Sequence, residues 1–150
     1  MNEGSTLLTY AIAEPYGTAL RQVRRALARH GLRAPAELDV AARIRHELGA
    51  GVAPCAVLWV DDPALLLEAV VFQRGAAAHI PQPLVVTGDN RRSEVLLRSP
   101  ESLAREVPAT VRDPLFDLLK RMARAVESVA GPRHPEFAAA SGAEAAFPRR

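Results

Sequence analysis

Apolar positions recur along the chain with two periods, and the switches between them mark its elements. Residues 6–13, TLLTYAIA, carry Leu7, Leu8, Tyr10 and Ile12 without a breaker and predict a first strand. Glu14-Pro15-Tyr16-Gly17-Thr18 turns the chain, with a helix start near Pro15 or Thr18. From 18 to 30 the period becomes helical. Ala19, Leu20, Val23, Ala26 and Leu27 share one face, Arg21, Arg24, Arg25 and Arg29 the other, and Gly31 follows as a C-terminal cap. Residues 32–40 return to extended chain. Pro35 lacks a backbone donor, which places this strand at a sheet edge or at a bulge.

Asp39 suits the N-cap of a short helix over Val40 to Leu48, closed by Gly49 and Gly51. Residues 55–60, CAVLWV, are continuously apolar and predict a central strand buried on both faces, with Cys55 as a small buried hydrophobe. Asp62 and Pro63 suit the N-cap and first turn of a helix running to Gln73, with Gly75 closing it. Two prolines, Pro81 and Pro83, precede a strand over Leu84 to Thr87. Gly88-Asp89-Asn90 signals a turn and Ser93 to Arg98 a returning strand. A helical turn fits 101–106. The longest amphipathic helix is 113–130, with Asp113 as cap, Pro114 in the first turn, and Leu115, Leu118, Leu119, Met122, Val126 and Val129 as a core stripe. Residues 131–150 have no period and read as a mobile tail behind a single domain at 1–130. The hairpin argues against a purely parallel sheet. The expected class is α+β, an antiparallel or mixed sheet with helices packed mainly on one face.

Composition narrows the function classes. At 150 residues and 49% hydrophobic, the chain is long enough for one core, and with 5% aromatics that core must be built from Leu, Val and Ala. Nineteen basic against 17 acidic residues give a net charge of +2, too little to argue for nucleic acid. Cys55 is the sole cysteine, which excludes an intrachain disulfide and a cysteine-based zinc cage. The N-terminus lacks a basic region ahead of a long apolar run, and no apolar stretch approaches the roughly 20 residues of a membrane span. A soluble cytoplasmic protein is expected.

The motifs of common chemistries are missing: no GxSxG elbow, no phosphate-binding glycine loop, no HExxH. His30, His46, His79 and His134 are not at ligand spacings, and no cofactor or metal is expected. Two carboxylate pairs, Glu37/Asp39 and Asp61/Asp62, could split their pKa values and act as acid and base. Strand ends and helix caps explain the same pairs and are preferred. The four arginines of the first helix could form a phosphate-binding stripe. A solvated face with aliphatic stems over the core edge is preferred, because no aromatic or glycine-rich loop accompanies them.

The order of segments in the middle of the chain resembles the bacterial domain-of-unknown-function family 302. Its members show E-I-D-V, a helix ending K-L-G, a strand running into G-A-C-N-P, and later L-P-C-N-V-V-V. Here Glu37-Leu38-Asp39-Val40 matches the first and Glu47-Leu48-Gly49 the helix end. Ala56 to Val60 occupies the strand, and Ile80-Pro81 followed by Leu84-Val85-Val86 the last segment. The resemblance spans roughly residues 6 to 130. It departs where Trp59 stands for the glycine, Asp61 and Gln82 for the two cysteines, and Pro83 for the asparagine. No thiol or soft-metal role carries over without those sulfurs. The resemblance implies a fold similar to that of TATA-binding protein, commonly dimeric, with no established reaction, and it is no argument for DNA binding.

The combined expectation is a non-catalytic homodimer that binds a small ligand or a partner protein, with no membrane, in a cleft near Asp39, Asp61 and Gln82, with Glu37 beside them. One alternative is an acid–base enzyme using Asp39 or Asp61 with His46 or His79. The other, nucleic-acid binding through Arg21, Arg24, Arg25 and Arg29, is disfavoured.

Overall fold

A computed structural model describes residues 6–130; the expected tail, 131–150, lies outside the described residues. Strands β1 (Leu7–Ile12), β2 (Arg33–Asp39), β3 (Cys55–Asp61), β4 (Gln82–Gly88) and β5 (Ser93–Arg98) form one sheet in the order β1-β5-β4-β3-β2, with every neighbouring pair antiparallel. The helices are α1 (Tyr16–Arg29), α2 (Val40–Leu48), α3 (Pro63–Phe72), α4 (Pro100–Leu103) and α5 (Ala109–Ala130), with a 3-10 turn at Arg74–Ala78. This is the α+β class expected.

The core lies between one face of the sheet and α1, α3 and α5. Successive side chains of a strand point to opposite faces. Tyr10, Ile12, Leu58, Val60, Leu84, Val86, Val95 and Leu97 therefore share one face, and all are buried. Against them pack the apolar stripe of α1 (Ala19, Leu20, Val23, Ala26, Leu27), Ala69 of α3, and Val111, Leu115, Leu118, Leu119, Met122, Ala125 and Val126 of α5.

The local signals hold at most boundaries. Gly31 has φ +72 and closes α1, with Leu32 N–H donating to Leu27 O (3.0 Å), so the chain reverses without a Cβ clash. Ala42 N–H donates to Asp39 Oδ1 (2.9 Å) and Ala64 N–H to Asp62 Oδ1 (2.9 Å), so both aspartates are N-caps. Ser99 caps α4. β2 is an edge strand, and its register breaks between Arg33 and Ala36, around Pro35.

Several expectations are corrected. α5 begins at Ala109, so Asp113 is not its cap and Pro114 sits inside it. Pro114 removes one hydrogen bond, to the carbonyl of Thr110, and burial of Val111 and Pro114 extends the apolar stripe by a turn in exchange. The helix after Pro63 ends at Phe72, and Gly75 lies within the 3-10 turn. β4 starts at Gln82 and includes Pro83, which faces Trp59; the β5 ladder begins one residue later, so a residue without a donor is accommodated. β3 is central but not buried on both faces. Ala56, Leu58 and Val60 are buried, whereas Cys55 and Val57 are half-buried and Trp59 is 40% exposed.

Candidate functional site

The ladder register divides the expected site residues between the two ends of the sheet. Asp39 faces Ala56 near the start of β3, and Asp61 faces Arg33 at its end. Five residues of strand at about 3.3 Å each separate those positions. Asp61 and Gln82 belong to one end and Asp39 to the other, Glu37 lies midway opposite Leu58, and no single cleft joins all four.

Val60 faces Gln82, so Asp61 and Gln82 are neighbours across the ladder. The pleat sends Gln82 into the core with Val60 and Asp61 toward the opposite face. Gln82 is 3% exposed. Its Nε2 donates to His79 O (2.5 Å), and its Oε1 is buried without a hydrogen-bond partner. Asp61 is also buried, and that burial, with the charge of Asp62 second, pushes its carboxyl above the usual carboxylate range. Asp62 shifts the other way. A hydrogen bond from Arg121 Nη1 (2.5 Å), together with the backbone N–H groups at the start of α3, holds it below that range. Arg121 Nη2 donates in turn to His30 O (3.0 Å). Asp62 and Arg121 thus tie the end of α1, the start of α3 and the middle of α5 together, an architectural junction.

Midway along the sheet edge Arg24 donates to Glu37 through Nε (3.1 Å) and Nη2. Tyr16 and Cys55 stand close enough to feel the charge of Asp39. Burial first and Asp39 second push the Cys55 thiol up, which keeps it protonated and a poor nucleophile. The same two causes push the Tyr16 hydroxyl up. Among the described residues no histidine lies within 4.0 Å of a carboxylate, so neither His46 nor His79 forms a direct acid–base pair with Asp39 or Asp61.

The arginine stripe of α1 is also divided. Arg21 donates to Thr18 Oγ1 (3.2 Å) and Arg24 is held by Glu37. Arg25 and Arg29, with Gln22, Ser128 and Val129, line a shallow depression of about 300 Å³. Among the described residues no group of three His, Cys, Asp or Glu side chains could hold a metal, and no helix is long and apolar enough to cross a membrane.

The feature that the sequence reading missed is the second face of the sheet. In register across all five strands run Leu38, Val57, Val85, Leu96 and Thr9. The next row toward the Asp61 end holds Ala36, Trp59 and Pro83, with Arg98 and Leu7 beyond them. The row toward the Asp39 end holds Cys55, Thr87, Glu94 and Ala11. None of these side chains is buried, and Leu7, Leu38 and Trp59 are each at least 40% exposed. A signal for it was present: the continuous run CAVLWV is apolar on both faces, yet only one of them enters the core.

A five-stranded antiparallel sheet with helices packed on one face and an apolar second face is an α+β fold. A family model described as "Domain of unknown function DUF302" matches residues 8–129, and the chain belongs to that family. Among solved structures it is similar to the one described as "Crystal structure of uncharacterized conserved protein DUF302 from Bacillus stearothermophilus". The TM-score is 0.75 and the identity 14%, over 84% of this chain and 99% of that one, a likeness of fold. No curated protein matches the chain.

Proposed function

We propose that this chain is a non-catalytic binding domain whose working surface is the open face of its sheet, and whose partner is a protein. The observation that carries this reading is the uninterrupted row Leu38–Val57–Val85–Leu96–Thr9, four of whose five members are aliphatic. An antiparallel sheet that faces water on one side normally alternates apolar-in with polar-out. Here Glu94 and Arg98 are the charged members of those three rows, and contiguous apolar surface of this kind marks interaction sites. Trp59, the only tryptophan, lies on this face and reports its cover.

Hydroxyl-radical footprinting in the cells that make the protein tests the reading. Trp59 is expected to be oxidised several-fold more slowly there than in the purified Val57→Asp/Val85→Asp variant. Equal oxidation in both settings would mean that the face stays in water, and the reading would fail.

One observation supports a small-ligand role as a second reading. Gln82 Oε1 is a buried acceptor with no donor among the described residues, and the Asp61 side chain, on the neighbouring strand, accepts no hydrogen bond among them. A ligand that satisfied either would be a hydrogen-bond donor such as an amine. Calorimetry with simple amines, on the parent and on Asp61→Asn/Gln82→Leu, tests it. Heat that is the same in both proteins, or absent from both, would remove this reading.

A further inference from the structure

We propose that the depression between α1 and α5 is a binding site for a small organic phosphate monoester that carries a hydroxyl close to its phosphate. The site lies on the outer surface of the helix layer, so it is separate from the open face of the sheet and from the protein partner assigned there.

The charge pattern of α1 is the first observation. The helix holds four arginines and no acidic residue. Arg21, Arg25 and Arg29 follow one another at intervals of four, the spacing at which like charges on a helix surface repel. Arg21 turns to Thr18, and Arg24, off that row, is held by Glu37. Arg25 and Arg29 have no hydrogen bond or ion pair among the described residues. An anion between them removes a repulsion that nothing within the described chain offsets.

α5 supplies the opposite wall. Its Arg121 Nη2 donates to His30 O at the end of α1 (3.0 Å), whereas Ser128 and Val129 lie beside Gln22, Arg25 and Arg29, so the two helices run antiparallel. Glu127 accepts from Tyr10 Oη (3.2 Å) and does not line the depression, and no other carboxylate does. The space, about 300 Å³, stands at the small end of ligand sites.

The donors and acceptors of the two walls define the ligand. Arg25 and Arg29 each offer a fork of five N–H groups, and the Gln22 amide offers two more. Two fixed positive charges match a phosphate monoester, which is close to doubly charged near neutral pH, better than a carboxylate or a phosphodiester with a single charge. Ser128 asks for something else. Its hydroxyl proton is spent on Ala125 O (2.6 Å), so its Oγ has only lone pairs left to offer. A phosphate oxygen gains nothing from those lone pairs, whereas a ligand hydroxyl donates to them. Val129 gives the carbon between the two groups an apolar wall.

Titration calorimetry on the full chain, at low salt and mildly alkaline pH, tests the site with glycerol 3-phosphate, methyl phosphate and dimethyl phosphate. Glycerol 3-phosphate is expected to bind one to one, about fivefold tighter than methyl phosphate and about tenfold or more tighter than dimethyl phosphate. Arg25→Gln/Arg29→Gln is expected to weaken it about tenfold or more, and Arg21→Gln to stay within about twofold. Ser128→Ala is expected to bring glycerol 3-phosphate down to the level of methyl phosphate and to leave methyl phosphate unchanged. All four substituted positions are exposed, so the fold survives each change. No saturable heat with either monoester, or an affinity unchanged in Arg25→Gln/Arg29→Gln, overturns the site. Dimethyl phosphate that binds as tightly as the monoesters, and is lost equally in Arg21→Gln, points to a diester backbone on the whole arginine row and overturns the monoester. An unchanged ratio of glycerol 3-phosphate to methyl phosphate in Ser128→Ala overturns the hydroxyl-bearing ligand.

Discussion

Leu84 and Val85 are consecutive residues of the same central strand, yet they belong to different surfaces. Leu84 is fully buried against the helices, whereas Val85 is half-buried on the face that no core residue shares. The strands alternate apolar with apolar across both faces, so hydrophobicity alone does not tell them apart. What separates them is cover. α1 and α5 carry apolar stripes matched to one face, and α3, apolar except for Glu68, adds Ala69 to the same side while leaving Leu67, Val71 and Phe72 exposed. Three helices and one sheet face complete a core. The second face has the composition of a core and lacks a layer.

The largest effect should separate those two neighbours. Leu84→Ala removes buried methyl groups and leaves a cavity under α1, and is expected to cost about 2–5 kcal/mol in urea unfolding. Val85→Ala, measured on the dilute monomer, is expected to cost less than about 1 kcal/mol. Equal costs would mean that the open face is covered within the chain, and the contrast would collapse.

Most of the elements were legible before the structure because caps and periods are local. Asp39, Asp62, Pro63, Gly31 and Gly49 announce helix ends through their own backbone chemistry. The start of α5 was misread because Asp113-Pro114 is also a good cap signal, and only the tertiary burial of Val111 shows that the helix begins earlier. The expected cleft was misread for a different reason. Asp39 and Asp61 both flank short helices, but strand pairing decides which ends meet, and antiparallel pairing of β2 with β3 sends them apart. Likewise CAVLWV announced two apolar faces, and nothing local could say that helices cover only one.

The margin of the open face offers a test with opposite signs at adjacent residues. Asp62 sits below its ordinary value because of Arg121, so the stability that it lends is present above that ordinary value and is lost as pH falls through the folded one. Asp62→Ala removes both the cap and the pairing, at an expected cost of about 2 kcal/mol at neutral pH. Asp61 sits above its ordinary value because of burial, so its protonated form favours the fold and stability is lost as pH rises through the raised value. Asp61→Asn is therefore expected to raise the thermal midpoint at pH 7 and to flatten the decline that sets in as pH rises above the ordinary carboxylate value. A lower midpoint at pH 7 would show that the Asp61 charge has a partner in the folded protein.

Smaller effects are expected where the covered face runs out, at β2. Its seven residues are all exposed, and it is anchored through its ladder with β3 and through α2. Asp39→Ala removes the cap of α2 and is expected to cost about 1 kcal/mol. If hydrogen exchange in 40–48 stays unchanged in that variant, the cap is not what holds α2.

Glu37 gives the smallest effect and the sharpest statement about cover. It points to the same face as Leu58, where a core residue would be expected, yet the helix above supplies Arg24 instead of an apolar side chain. Arg24 and Glu37 keep 46% and 32% of their side-chain surfaces exposed, so solvent screens the pair. Arg24→Ala should therefore cost less than about 1 kcal/mol, and less again in high salt. A cost near that of Leu84→Ala would mean that the arginine stem covers β2 as an apolar residue would, and that the covered face extends to the edge of the sheet. A small, salt-sensitive cost would place the boundary of the core at β3 and leave β2 as a strand held by its ladder.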